Sequence, residues 1–394
     1  MTNFLKNAIL TLIGIAVACK AFHGGYAQSQ NHSSTGMVEW VTPPLSPNHP
    51  QTPEQEEHGR HFGRPVPEPE LLQPQLDKSL PAYRPQPRES ISGSFTGGCS
   101  DVLPRLVKGW VEAFRKYYPN VQIQVPPPFA GSLGAQELVQ SKLDFVSVSR
   151  ELRPDDIKDF KAKFGYPPMS VPVSGGSYRH YGFLDSVSFI VNKDNPIEAL
   201  SFAQLDGIFS TTRYRGLGAI KTWGQLGLTG EWADKPIHLY GIKPWNGYEE
   251  FIRQRVLSTP GQRGEWRDDI RFDKVVFPVA GRVAADPYGI GYTGVAYIDA
   301  PVKMLAVSPD QAVPYYSATY ENVARATYPL TRLIYFNTNR APDRPLNAAL
   351  QELLRFILSR EGQQVVLDQG IFIPLRAGQT IGSRARLISN ASQR

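Results

Sequence analysis

From Ser90 onward, apolar and polar positions recur with the periods of helices and strands. Six apolar residues follow helical spacing and predict a helix over Val102–Tyr118: Leu103, Leu106, Val107, Trp110, Val111 and Phe114. Val121–Val125 alternates between apolar and polar residues, as a strand with one buried face does. Leu143–Val148 is largely apolar and predicts a buried strand. Strand, loop, helix and strand in this order is typical of an α/β fold.

The same alternation continues to the end of the chain. Further strands are predicted at Ser90–Phe95, Ser186–Asn192, Ile237–Tyr240 and Phe372–Leu375. Further helices are predicted at Ala135–Lys142, Ser201–Phe209, Glu249–Leu257, Pro345–Leu358 and Gly362–Gln369. Ser100 or Asp101 is expected to cap the first helix. The pattern therefore predicts a folded body that begins at residue 90.

The first residues have the pattern of an export signal. Lys6 precedes an uncharged apolar run, Ala8–Ala18, which is shorter than the roughly 20 residues that a membrane-spanning helix needs. Small residues at Gly25 and Ala27 favour cleavage after residue 27, so residues 1–27 are interpreted as a signal peptide. A lipoprotein-like site ending at Cys19 remains open. We expect an exported, periplasmic protein whose membrane contact, if it has one, is a lipid anchor at Cys19.

Residues 28–89 are predicted to be a disordered linker. Twelve of the 34 prolines lie between Pro43 and Pro87, among Gln, Glu, His and Ser. Such a composition cannot bury enough apolar surface to offset the entropy of ordering the chain. A spacer is the favoured interpretation, and a docking segment stays open. Residues 381–394 are predicted to be a flexible tail.

Composition excludes several classes of function. Five of the seven histidines precede residue 62, which leaves His180 and His238 for the folded body and disfavours a histidine-based zinc site. Lysine and arginine are spread along a chain of net charge +6, so nucleic acid is not an expected partner. After export, Cys99 would be the one cysteine left and could form no internal disulfide. No metal, cofactor or catalytic residue is predicted.

Three loops carry the candidate chemistry. Gly98–Asp101, Gly131–Gly134 and Ser147–Arg150 each place serine or glycine after a predicted strand and before a helix. The first N–H groups of a helix lack internal partners, so several such loops that converge can bind an oxyanion without a metal. Arg150 could add a charged fork. Ordinary helix caps and a solvated arginine are the alternatives.

Seven segments in order carry a resemblance to a known family: Gly98–Phe114, Phe129–Ala135, Lys142–Leu152, Phe189–Pro196, Leu205–Ser210, Asp286–Ile298 and Tyr328–Phe336. Together they resemble the phosphate-binding proteins of bacterial ABC importers, within the broader phosphate-binding-protein-like group. The resemblance implies an α/β, two-lobed periplasmic binding protein fold of type II, with a hinge and a cleft between the lobes. It implies a first lobe at 90–180 and 301–380, and a second lobe at 181–300.

The resemblance also implies ligand contacts. Ser100, Asp101, Ser132 and Ser149 match the family's first-lobe positions. The second lobe departs from the family, because Tyr240–Tyr248 lacks the arginine and the Ser-Gly-Thr cap that usually precede its helix. We expect Lys243 to replace the arginine as a point charge, and Asn246 and Gly247 to form the helix start. Trp245 either stacks on a ligand or covers the hinge.

The favoured function is capture of phosphate or a related oxyanion, for import through an ABC permease or for sensing, by a monomer that performs no catalysis. An interaction or scaffold protein that kept the fold and lost the ligand is the alternative, because the second-lobe motif is altered. A secreted phosphatase is less favoured. The chain has no His-Glu-x-x-His or Gly-x-Ser-x-Gly motif, and His180 is the local candidate for a base.

Overall fold

Twelve strands and ten α-helices are assigned in the computed structural model, which describes residues 75–128, 133–178, 184–244, 246–342 and 344–388. The strands are β1 (Gly93–Cys99), β2 (Val121–Gln124), β3 (Phe145–Val148), β4 (Met169–Gly175), β5 (Val187–Asn192), β6 (Ala199–Ser201), β7 (His238–Ile242), β8 (Arg271–Asp273), β9 (Gly289–Gly294), β10 (Val302–Met304), β11 (Ala306–Ser308) and β12 (Leu333–Thr338). The helices are α1 (Pro104–Arg115), α2 (Leu133–Val139), α3 (Pro154–Phe164), α4 (Phe202–Phe209), α5 (Gly247–Ile252), α6 (Pro278–Ala284), α7 (Tyr320–Ala324), α8 (Ala348–Ile357), α9 (Arg360–Asp368) and α10 (Ala377–Ile388).

The first sheet combines strands from both ends of the folded chain. Its order is β2-β1-β3-β12-β4, with β1, β2 and β3 parallel and β12 antiparallel to both of its neighbours. In the register of β12 with β3, Tyr335 lies opposite Val148. The chain therefore leaves this sheet after β4 and returns at Leu333, where β12 inserts between β3 and β4.

The second sheet is built from the middle of the chain. Its order is β10-β5-β9-β7-β8; β5 is antiparallel to β9 and β10, and β7 is parallel to β8 and β9. Strand β11 pairs separately with β6. Each sheet has its own helices, since α1 packs on α9 beside the first sheet and α6 packs on β9 and β5 of the second. The α/β fold with two sheets is as predicted.

The α1 helix shows why the predicted core is correct. The residues at helical spacing, from Leu106 to Phe114, are buried. Trp110 also donates an indole hydrogen bond to the carbonyl of Gly362, at 2.9 Å, which joins α1 to α9. Pro104 begins the helix, where its missing N–H costs nothing. Leu103 is the residue at the helix cap and no side chain caps it, so the expected cap by Ser100 or Asp101 is wrong.

The end of the predicted linker needs correction. Leu80 is fully buried and Tyr83 is 9% exposed. The Tyr83 hydroxyl donates to the buried carboxylate of Glu352 at 2.6 Å. Asp77 accepts a hydrogen bond at 2.9 Å from the N–H of Ala377, in the first turn of α10. Burial of Leu80 and Tyr83, together with these two hydrogen bonds, anchors this segment to the folded body.

Two predictions near the C-terminus are also wrong. Residues 381–388 belong to α10, whose Ser383 and Leu387 are buried, so they are no flexible tail. Residues 389–394 lie outside the described part. Phe372–Leu375 forms no strand, although Ile373 exchanges backbone hydrogen bonds with Gly175 and Gly176 at 2.9 and 3.0 Å.

The predicted signal peptide, the lipoprotein-like site at Cys19 and residues 28–74 of the predicted linker lie outside the described residues. Among the residues that the structure describes, no helix is both long enough and apolar enough to span a bilayer.

Candidate functional site

The carboxyl ends of β1 and β3 bring two of the predicted serines together. The two strands are parallel neighbours, with Cys99 opposite Ser147, so the residues that follow them emerge at one edge of the first sheet. The N–H of Ser100 donates to the carbonyl of Ser147 at 3.0 Å, and the N–H of Ser149 donates to Oγ of Ser100 at 3.4 Å. Ser100 is buried and Ser149 is half-buried. The backbone of Ser149 thus lies against the side chain of Ser100 at this edge of the sheet.

Asp101 follows Ser100 and is exposed at the start of α1. Ser132 lies outside the described residues, as do Trp245 and His180. The structure therefore places two members of the predicted first-lobe set in contact and one beside them. The roles of all four as ligand contacts stay a prediction.

The Arg150 guanidinium is turned toward its own lobe. It is 7% exposed, it forms an ion pair with Asp156 at 3.1 Å, and it donates to the carbonyl of Glu151 at 2.7 Å. Burial lowers the pKa of Arg150, and the Asp156 carboxylate opposes that effect. Asp156 also accepts the N–H of Arg153 at the start of α3, at 2.9 Å. Arg150 thus fixes the loop that carries Ser149, and a direct contact with a ligand stays a prediction.

The loop between β7 and α5 holds the predicted second-lobe residues. Oδ1 of Asn246 accepts the N–H of Tyr248 at 2.9 Å, so the predicted helix cap is confirmed. Gly247 is exposed, and a Cβ placed there would meet no atom within 4 Å. Lys243 is exposed, and its N–H donates to the carbonyl of Asp273 at 2.8 Å. Helix α5 is shorter than predicted, because Arg253–Leu257 continues as one wider π-helical turn.

A buried polar cluster that the sequence analysis did not identify lies where the chain crosses between the sheets. Asp185 is fully buried; its Oδ1 accepts the hydroxyl of Tyr248, and its Oδ2 accepts the N–H of Ala296 at 3.0 Å. Burial raises the pKa of Asp185 to about 6, against the hydrogen bond from Tyr248 and the charge of Arg332. The Arg332 guanidinium lies 5.1 Å from the centre of the Tyr248 ring. We call Asp185, Tyr248 and Arg332 the crossover cluster.

The loop after β3 is also tied to the segment after α5. Glu151 forms an ion pair with Arg255 at 2.7 Å, and the carbonyl of Leu152 accepts the side-chain amide of Gln254 at 2.7 Å. Arg153 lies 3.7 Å from the carboxylate of Glu250. We call these three contacts the inter-lobe bridge. They connect the loop that carries Ser149 to α5, which Asn246 caps, and to the turn that follows α5.

Comparison with known proteins identifies the family. A model described as "PBP superfamily domain" matches residues 84–361. The chain is 35% identical over 304 residues to the phosphate-binding protein PstS of Pseudomonas aeruginosa, covering 77% of this chain and 88% of that protein. The chain belongs to the PBP superfamily and is PstS-like. It is also 24% identical over 300 residues to protein SphX of Synechococcus elongatus, covering 74% of this chain and 80% of that one.

The fold of this PBP-superfamily chain is similar to that of a solved structure. PstS of Borrelia burgdorferi matches with a TM-score of 0.50 at 17% identity, covering 72% of this chain and all of that one. This likeness concerns the fold alone. The two sheets of the PstS-like chain are accordingly the two lobes of a periplasmic binding protein fold, as the resemblance implied.

The members of the crossover cluster carried little sequence signal. Arg332 stands inside Tyr328–Phe336, a segment that supported the family resemblance, and a charged residue directly before an apolar strand could have drawn attention to it. Asp185 precedes the predicted strand at Ser186 in the same way. Their proximity depends on a pairing of distant segments, which single-sequence periodicity does not contain.

Proposed function

We propose that this chain captures inorganic phosphate, or a related tetrahedral oxyanion, between its two lobes. One observation carries the proposal: Ser100 and Ser149 lie side by side at the carboxyl edge of the first sheet, in a chain 35% identical to a phosphate-binding protein. Serine hydroxyls at a strand-to-helix junction are donors that suit an oxyanion. Binding, and no catalysis, is the proposed activity.

Capture between lobes requires that both lobes take part. The inter-lobe bridge supports this, because it holds the Ser149 loop against the segment that follows α5. Asn246 and Gly247 would then contribute from the second lobe, with Lys243 as an exposed charge beside them. Hinge closure around the anion is the motion that such an arrangement provides.

The proposal also covers the location of the protein in the cell and its partner. We propose export to the periplasm through residues 1–27, a tether up to about residue 75, and delivery of the anion to an ABC permease by a monomer. We also propose that the first lobe comprises residues 75–178 and 333–388. Strand pairing supports a return at Leu333, later than the sequence-based boundary at 301, because β10 pairs with β5.

Isothermal titration calorimetry with inorganic phosphate on the full chain tests the proposal. We expect saturable binding, and about a tenfold weaker affinity for Ser149→Ala, because a hydrogen bond to a charged group is lost. The matched control is Ser94→Ala. Ser94 is an exposed serine in β1, the strand that Ser100 follows, and this variant should bind phosphate like the wild type. If the wild-type chain gives no binding heat and no shift in melting temperature at millimolar phosphate, the proposal is contradicted and the interaction-protein alternative is favoured.

A further inference from the structure

Arg332 is a buried cation without a close counter-ion. It is 7% exposed. Within the part of the chain that the structure describes, its Nε is buried without a hydrogen-bond acceptor and no carboxylate lies within ion-pair distance. Two other buried arginines differ, since Arg150 pairs with Asp156 at 3.1 Å and Arg253 with Glu249 at 2.7 Å. A buried charge without a counter-ion is costly, so we expect Arg332 to interact with an anion that offsets the cost of its desolvation.

Strand register puts Arg332 at the same edge of the first sheet as the two serines. Leu333 of β12 lies opposite Gly175, the last residue of β4, and Tyr335 lies opposite Val148, the last residue of β3. Because β12 is antiparallel to both strands, Arg332 stands just beyond their carboxyl ends. Its carbonyl accepts the N–H of Gly176 at 2.8 Å, which holds the backbone in place.

The Arg332 side chain extends from this edge toward the second lobe. Its guanidinium lies 5.1 Å from the centre of the Tyr248 ring and 5.6 Å from that of Phe251, both in α5. A guanidinium on aromatic rings keeps its N–H groups free for a further acceptor while its face is covered. The guanidinium therefore lies against the helix that Asn246 caps, while its backbone stands at the sheet edge that carries Ser100 and Ser149.

Asp185, the carboxylate of the crossover cluster, compensates Arg332 only in part. Both of its oxygens are engaged, one by the hydroxyl of Tyr248 and one by the N–H of Ala296. It is near enough for the Arg332 charge to lower its pKa, yet burial outweighs that effect. Among the described residues, Nε of Arg332 has no hydrogen-bond acceptor, so the guanidinium keeps donor capacity for another anion.

We propose that Arg332 supplies the guanidinium that binds the captured oxyanion, in place of the arginine that is missing from Tyr240–Tyr248. This inference rests on the proposed function and names a residue that would contact the anion directly. A guanidinium can give an oxyanion two parallel hydrogen bonds, which the ammonium of Lys243 cannot. The charge would then be compensated in the bound state and compensated only in part, by Asp185, in the free state.

The test compares Arg332→Met, Arg332→Lys and the full wild-type chain in calorimetry with inorganic phosphate and in melting experiments without it. We expect Arg332→Met to bind phosphate about tenfold to a hundredfold more weakly. In phosphate-free buffer at about pH 5, where Asp185 with its pKa of about 6 is mostly protonated, its melting temperature should be unchanged or higher. Arg332→Lys should lose less affinity, because it keeps the charge. Arg325→Met removes an exposed arginine from the end of α7 and should bind like the wild type.

The possible results separate the two proposals. If the wild type binds phosphate and Arg332→Met binds equally well, the inference about Arg332 is wrong and the proposed function stands. If Arg332→Lys loses as much affinity as Arg332→Met while both variants melt lower, Arg332 has a structural role and the inference is again overturned. If the wild-type chain binds no phosphate, the proposed function fails and the inference fails with it.

Discussion

The buried carboxylate of Asp185 should make the stability of this protein depend on pH in a defined window. Burial raises its pKa from 3.8 to about 6, so the folded state holds the proton more tightly than the unfolded state. The stabilising effect of that proton is fully present below about pH 4 and is lost as the pH rises through about 6. A shift of about two units corresponds to about 3 kcal/mol.

Urea unfolding followed by tryptophan fluorescence, in phosphate-free buffer, measures this effect. Asp185→Asn keeps the shape and removes the titration. Its one oxygen can still accept the N–H of Ala296, and its amide group can donate to the Tyr248 hydroxyl oxygen instead of accepting from it. Between about pH 4 and about pH 7, the free energy of unfolding of the wild type should fall relative to that of Asp185→Asn by about 2 to 3 kcal/mol. Asp194→Asn, at a carboxylate whose side chain is 70% exposed, is the control and should give a flat difference.

A constant difference between wild type and Asp185→Asn across this window would refute the reasoning. It would mean that Tyr248, Ala296 and Arg332 stabilise the ionised carboxylate enough to cancel the cost of burial. A difference with the opposite slope would mean that these three partners outweigh that cost.

Three further predictions concern the bridge, the N-terminal anchor and the helix cap. A double-mutant cycle on Glu151→Ala and Arg255→Ala, measured by urea unfolding, should give a coupling free energy below about 1 kcal/mol, because the two side chains are 34% and 36% exposed. A larger coupling would show that the ion pair is shielded from water. Leu80→Ala should lower the free energy of unfolding by about 2 to 4 kcal/mol, and an unchanged value would show that this segment is not anchored. Asn246→Ala should cost about 1 kcal/mol in thermal unfolding and Asn246→Asp almost nothing; equal losses would contradict the capping role.

Local elements were predictable because their signal lies in neighbouring residues. The apolar spacing of α1, the alternation of β2 and the cap at Asn246 each depend on a few consecutive positions. The proximity of Ser100 and Ser149 could be predicted for a similar reason. Each serine follows a strand that is recognisable in the sequence, and neighbouring parallel strands have their carboxyl ends at one edge of the sheet. The anchored segment at Leu80 was missed because its polar surroundings dominate the composition.

The sequence by itself determined the α/β alternation, the family resemblance and the first-lobe serines, because burial periodicity and short motifs are local properties. Only the tertiary structure decided that β12 inserts between β3 and β4, that Arg150 turns to Asp156, and that Asp185, Tyr248 and Arg332 meet at the crossover. The physical reason is that strand register and the burial of charged groups are set by contacts between segments far apart in the chain. All five strands of the second sheet lie between Asp185 and Arg332 in the sequence, and only the fold gives the two residues a shared environment.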